Sequence, residues 1–261
     1  MNMQQDIVRL ERQGAVAVLT LDHPERRNAL SQAMRETLLV RLRALGDPQE
    51  CCRAIVLTGS GGHFCAGGDL SEMEPRSALE IRHRMSLLGD IVRVLVSGPR
   101  PVVAAVEGHA AGAGLALASA TDFVVAAEDA RFSTAFVKVA VVPDTGILWS
   151  LAQKVGAGRA RELLLQAGQI DARCAFELGL VGKMVAPGAA KAAAVEVAQA
   201  LARFPPAAVA LLKAALAGGC DTLEQTFETE INLQPVLRAS SDHLEAVKAF
   251  LEKRKPAFTG R

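Results

Sequence analysis

The chain has 261 residues, half of them hydrophobic, and its 29 basic and 28 acidic side chains leave a net charge of +1. That balance belongs to a globular protein of one large domain or two smaller ones. It excludes a disordered chain and a strongly basic nucleic-acid binder.

The apolar half is unusual, with 46 Ala and 22 Gly but only nine Phe, one Trp and no Tyr. Such a core is assembled from small and aliphatic side chains, with many close backbone approaches. The first residues, MNMQQDIVRLER, are polar and lack the apolar segment of a signal peptide. A β-rich run follows at 16–21 (VAVLTL). Ser31 is placed to cap a helix over 31–45, in which Met34, Leu38, Leu42 and Leu45 form one stripe and Gly46 ends it. Further β-rich runs at 54–58 (AIVLT), 102–106 (VVAAV), 123–127 (FVVAA) and 181–185 (VGKMV) alternate with helical stretches. Among these are 158–167 and, capped by Asp171, 171–178. The alternation predicts an α/β fold whose strands are covered on both faces. The longest apolar region, around 101–127, is broken by Glu107, His109 and Asp122 and does not predict a membrane span.

Beyond about residue 187 the chain is helix-forming almost throughout, with breaks at Phe204-Pro205-Pro206 and Gly218-Gly219. The last segment, 240–255, opens on a Ser cap and early acids and ends in basic residues. An α/β body over 1–195 and a helical C-terminal region over 196–261 are therefore expected. A helical tail of this kind docks either on a neighbouring subunit or on its own body. The five cysteines (Cys51, Cys52, Cys65, Cys174, Cys220) are odd in number and contain no C-x-x-C pair. They point to a reducing cytoplasm and to thiols that act mostly as small buried hydrophobes. The five histidines are scattered and form no H-E-x-x-H, so no metal centre is expected.

Three segments could carry chemistry. The first, 59–70 (GSGGHFCAGGDL), follows a strand and can aim consecutive amides at one anionic oxygen, although it also suits a plain surface turn. It ends in G-G-D rather than G-K-[ST], which excludes a Walker phosphate loop. The second, 102–122 (VVAAVEGHAAGAGLALASATD), runs from a strand through Gly112-Ala113-Gly114 into a helix of small residues whose first amides are free to bind an anion. Position 117 is Leu where a dinucleotide fingerprint needs its third glycine. The third, 132–146 (FSTAFVKVAVVPDTG), brings an apolar stretch to Asp144 in a Pro-Asp-x-Gly spacing that predicts a type I turn. A carboxyl beside the apolar run 139–142 is poorly solvated and suited to proton transfer. Two amide donors and one carboxyl together fit the stabilisation of a thioester enolate.

These segments, together with LTLDHPERRNALS at 19–31 and VKAFLEKRKPAF at 247–258, occur in an order that resembles the crotonase superfamily, the enoyl-CoA hydratase/isomerase family. The resemblance spans nearly the whole chain. It implies a spiral of ββα repeats with a helical C-terminal trimerisation region, in a homotrimer or a dimer of trimers. It also implies an acyl-CoA thioester substrate, with coenzyme A entering as part of that substrate and no other cofactor, and neither a nucleic-acid nor a membrane partner. Carried over residue by residue, the amides of Gly68 and Ala113 would form the oxyanion hole. The backbone around Ala66, Asp69 and Leu70 would hold the CoA adenine and pantetheine. Arg26 and Arg27 lie in the matching P-x-x-x-N-A-L loop, as neighbours of the phosphates or pantetheine or simply as solvated charges. Phe250 and the basic run 253–255 would meet a neighbour's CoA.

The departures from the family pattern bear on the reaction. Hydratases of the family use two glutamates, and the matching positions here are Ala116 and Phe136, neither of which takes a proton. The P-D-x-G turn is similar to that of isomerase-type members, in which a single carboxylate shuttles a proton. The expected activity is therefore a double-bond isomerisation, with Asp144 as the shuttle and Phe136 filling the space of a glutamate. The alternatives are a hydratase with a non-standard base and a catalytically silent scaffold that binds acyl-CoA or RNA.

Overall fold

The computed structural model describes residues 6–72, 77–219 and 222–260, without the side chain of Leu70; Cys220 lies outside the described residues. Two sheets organise the body. The larger starts with a hairpin of β1 (Val8–Gln13) and β2 (Val16–Leu21) and continues in parallel through β3 (Ala54–Gly59), β4 (Val102–Val106), β6 (Phe123–Ala127) and β9 (Lys183–Val185). The smaller contains β5 (His109–Ala111), β7 (Arg131–Ser133) and β8 (Gln169–Asp171). The chain passes from the large sheet to the small one twice, from β4 to β5 and from β6 to β7. Helix follows each time: α3 (Ala113–Ser119) after β5, then α4 (Ile147–Val155) and α5 (Ala157–Gln166) after β7. The expected spiral of ββα turns is therefore present. Strand β1 lies inside the polar N-terminal run, on the edge of the sheet, where only one face needs apolar side chains.

The central strands divide their side chains between two layers, with a period of two. Leu19, Ile55, Leu57 and Val102 face α1 (Gln32–Gly46) and α2 (Ala78–Ser97), where Leu38, Leu42, Leu88 and Leu95 meet them. Val18, Val56, Val103 and Ala105 face α7 (Ala190–Leu201), which answers with Ala190, Ala193, Ala194 and Ala198. A fully buried Leu contributes about 1.5–3 kcal/mol and an Ala far less. The α7 layer thus relies on close approach, and part of the alanine excess is spent there. Ser31 caps α1 as expected, its hydroxyl accepting the Met34 amide at 3.2 Å. Asp171 caps α6 (Ala172–Glu177) by accepting the Cys174 amide at 2.8 Å.

The break expected at 195 falls inside α7, whose apolar face lies on the sheet; the chain leaves the sheet at Phe204-Pro205 instead. Three helices follow: α8 (Pro206–Gly218), α9 (Leu223–Arg238) and α10 (Ser241–Leu251). The last is shorter than the expected 240–255, because the chain turns out of the helix at Lys253, where φ is +55°. Helix α8 packs on α2 through Lys213, which is buried. Its Nζ donates to the Leu95 carbonyl at 3.0 Å and to the Asp122 carboxylate. Burial pushes the Lys213 pKa down, against the pull of Asp122. Among the described residues no single helix is long and apolar enough to cross a membrane; α7 and α8 reach that composition only together and are bent by 107°.

Candidate active site

The glycine-rich loop is pinned along both edges. On one side the Phe64 and Cys65 amides donate to the Glu107 and His109 carbonyls at 2.9 and 3.0 Å, and the Ala111 amide donates back to Cys65 at 3.0 Å. On the other, the Ala66 amide donates to Arg27 at 2.9 Å and the Leu30 amide to Gly67 at 2.7 Å. Asn28 ties the two loops together from a fully buried position. Its Oδ1 accepts the His23 amide at 2.9 Å, and its Nδ2 donates to the Ser60 and His63 carbonyls at 2.9 and 2.7 Å. Burial pushes the Cys65 thiol up to about 12, so this cysteine is packing rather than a nucleophile.

The second loop meets the first at Gly112, whose φ of 51° and ψ of −120° are closed to a side chain. A Cβ there would stand 4.0 Å from the Gly67 α-carbon and 3.9 Å from the Phe136 ring. The amides of Gly68 and Ala113 follow directly on this contact, and neither has an acceptor among the described residues. Both residues line one cavity of about 190 Å³. Ala66, Phe136 and Asp144 line it as well, so five of the residues read from sequence converge on one wall. Arg26 and Asp69 are not on it, and the side chain of Leu70 lies outside the described residues. The Arg26 guanidinium instead grips the Asp69 carboxylate at 2.9 and 3.0 Å. Burial opposes ionisation of Asp69, but hydrogen bonds from the Ser71 hydroxyl and amide and the Arg26 charge outweigh it and hold the carboxyl below its usual range.

Asp144 opens a turn closed by the Ile147 amide, which donates to its carbonyl at 3.1 Å. The two central residues both lie at positive φ, Thr145 at 53° and Gly146 at 70°. The turn is thus of type I′ rather than the expected type I, with Asp144 at its first position. The cause is local: a β-branched residue resists this region, but the Thr145 hydroxyl donates to the Asp144 carboxylate at 2.8 Å and so orients it. The apolar run before the turn does not enclose Asp144 in the isolated chain. Val139, Val141 and Val142 are exposed, and Asp144 itself is half-buried.

Position 116 is fully buried and off the cavity wall. Phe136 is on the wall and 7% exposed. Among the described residues the wall's only carboxylate is that of Asp144, and its cations are Arg35 and Arg84. Arg84 and Leu88 come from α2, outside the three segments whose composition points to chemistry. The helix has its own sequence signal: Ser77 and Glu80 form a capping box ahead of an apolar run. A larger hollow of about 750 Å³ opens between α4 and α8, but its charged groups, Asp122, Lys154 and Lys213, are already bonded to one another.

Comparison with known proteins bears on this arrangement. A family model described as enoyl-CoA hydratase/isomerase matches residues 11–261. The chain belongs to the enoyl-CoA hydratase/isomerase family. This places it in the crotonase superfamily and makes it an enzyme of that family. A Rhodobacter capsulatus family member named "Probable enoyl-CoA hydratase" is 42% identical, over 99% of this chain and all of that one. The 1,2-epoxyphenylacetyl-CoA isomerase of Escherichia coli is 35% identical, over 94% and 95%. Among solved structures of the family, an enoyl-CoA hydratase from Bacillus anthracis superposes with a TM-score of 0.92 at 32% identity, covering 98% of this chain and all of that one.

Proposed function

We propose that this family member is an acyl-CoA double-bond isomerase. The thioester oxygen accepts hydrogen bonds from the Gly68 and Ala113 amides, which stabilise it as it gains charge in the enolate. Asp144 removes a proton from the acyl chain and returns it at another carbon. Coenzyme A enters as part of the substrate, and the reaction uses no further cofactor. Removing one oxyanion donor costs roughly 10²–10³ in rate in a known enzyme, so two fixed amides account for much of the catalysis.

One observation carries this reading: Asp144 is the only carboxylate on the cavity wall among the described residues, while Phe136 occupies the wall and Ala116 is buried behind it. Water addition needs groups to hold and deprotonate a water, and an isomerase needs one base. Incubation with 3-hexenoyl-CoA should build up the ultraviolet absorbance of a conjugated thioester. Crotonyl-CoA should be hydrated at least about 100-fold more slowly, the lower end of what a missing general base costs. Rapid hydration of crotonyl-CoA would reverse the assignment. That second reading, a hydratase with Asp144 as its base, is favoured by the hydratase names of many relatives.

The same proposal includes self-association through the C-terminal helices. Helix α9 buries no side chain, and Phe227, Ile231, Leu212, Leu216 and Phe250 are all exposed on the single chain. An apolar surface of this extent calls for a partner. Sedimentation velocity at micromolar concentration should give the mass of three or six chains; a monomer would remove this part of the proposal.

A further inference from the structure

The cavity holds one cation that the isomerisation does not use. Arg84 lines it from α2, and its Nε is shielded from solvent without a hydrogen-bond partner. No carboxylate pairs with its guanidinium among the described residues. The other cation on the wall, Arg35, is committed: it donates to the Leu30 carbonyl and pairs with Glu72 at 3.0 Å. A guanidinium on a cavity wall with no carboxylate partner is a charge that an anion bound in that cavity would neutralise.

Its place on the helix says where that anion sits. Arg84, Leu88 and Val92 form one stripe of α2 at four-residue spacing. Val92 packs against the turn that carries Asp144: a Cβ on Gly146, two residues after Asp144, would lie 3.0 Å from a Val92 methyl. Leu88 lines the cavity. Arg84 stands two helical turns from Val92, about 12 Å along the axis. An acyl chain held at the Gly68 and Ala113 amides can therefore pass Asp144 and Leu88 and bring its far end toward the guanidinium. Asp144 repels a negative group placed near the reacting carbons, and Arg84 attracts one placed beyond them.

We propose that Arg84 recognises a carboxylate at the distal end of the acyl chain, so that the preferred substrates are CoA monothioesters of short dicarboxylic acids. Nε is covered, so the carboxylate meets the two terminal nitrogens, which can donate two parallel hydrogen bonds to it. The proposal rests on the acyl-CoA site described above, and it is tested with saturated thioesters, whose binding does not depend on any proton shuttle.

Calorimetric titration of the full chain with glutaryl-CoA and with pentanoyl-CoA compares a terminal carboxylate with a methyl at the same chain length. Glutaryl-CoA should bind about tenfold more tightly or better, as expected for a charge-assisted pair. Arg84→Met should bring the two affinities together, and Arg84→Lys, which keeps the charge but not the fork, should retain part of the difference. Equal affinity of the wild-type chain for both thioesters would overturn the role of Arg84 while leaving the acyl-CoA site intact. Loss of affinity for both thioesters and for free CoA in Arg84→Met would assign Arg84 to the CoA phosphates and overturn the proposal. Failure of either thioester to bind the wild-type chain would remove the acyl-CoA reading itself, and this proposal with it.

Discussion

Asp144→Asn should lower the rate of double-bond migration by about 10³-fold, within the 10²–10⁴ range that general acid–base catalysis supplies. The amide is nearly isosteric and can still accept the Thr145 hydroxyl, so the turn keeps its shape. Affinity for a saturated acyl-CoA should change by no more than a few-fold, because the thioester is held by the Gly68 and Ala113 amides. Steady-state rates measured alongside calorimetric affinity separate the two effects. Activity that survives in Asp144→Asn would reassign the base. The wall offers no second carboxylate among the described residues to take over, which is why the expected loss is large.

Gly114→Ala should be nearly as damaging, for a reason of geometry. Residue 114 lies in a helix, where alanine is ordinarily better than glycine by about 1 kcal/mol. Here a Cβ would stand 2.3 Å from the Cys65 carbonyl oxygen and 2.8 Å from its Cβ. Cys65 cannot yield, because its carbonyl accepts the Ala111 amide and its own amide donates to His109. The strain must instead move the start of α3, and with it the Ala113 amide. Displacing a positioned donor by about 1 Å costs on the order of 10²-fold in rate. Overpacking of about 1–3 kcal/mol should also lower the melting temperature by several degrees. Gly158→Ala provides the contrast, since a Cβ there meets nothing within 4 Å and the position lies in α5. It should be neutral or slightly stabilising. If both variants melt and turn over alike, contact with Cys65 is not what requires glycine at 114.

Much of this site was legible in the residues. Gly68, Ala113, Phe136 and Asp144 were each marked by loop composition or by the family pattern, and they line one cavity. The strands at 16–21, 102–106 and 123–127 appear where their apolar runs predict them. Other features were not legible. Arg84 lies in a segment whose capping box and apolar stripe were readable, yet nothing in the spacing of α2 says that its face points at a loop 60 residues further along. The turn at Asp144 reads as type I by residue preference, and the Thr145 hydroxyl bond together with the fit of Gly146 against Val92 selects the mirror form. Arg26 and Asp69 read as ligand neighbours by position, and the structure shows them holding each other.

The alanine and glycine excess marks this division. Local composition fixed which segments become strands and helices, because periodicity and capping act over a few residues. It also fixed the absence of glutamate at 116 and 136. The closeness of α7 to the sheet, the meeting of two amide-bearing loops and the placing of one unpaired guanidinium on the cavity wall were decided only by tertiary structure. Each depends on contacts between residues far apart in the chain, where fit and burial, not sequence spacing, set the energy.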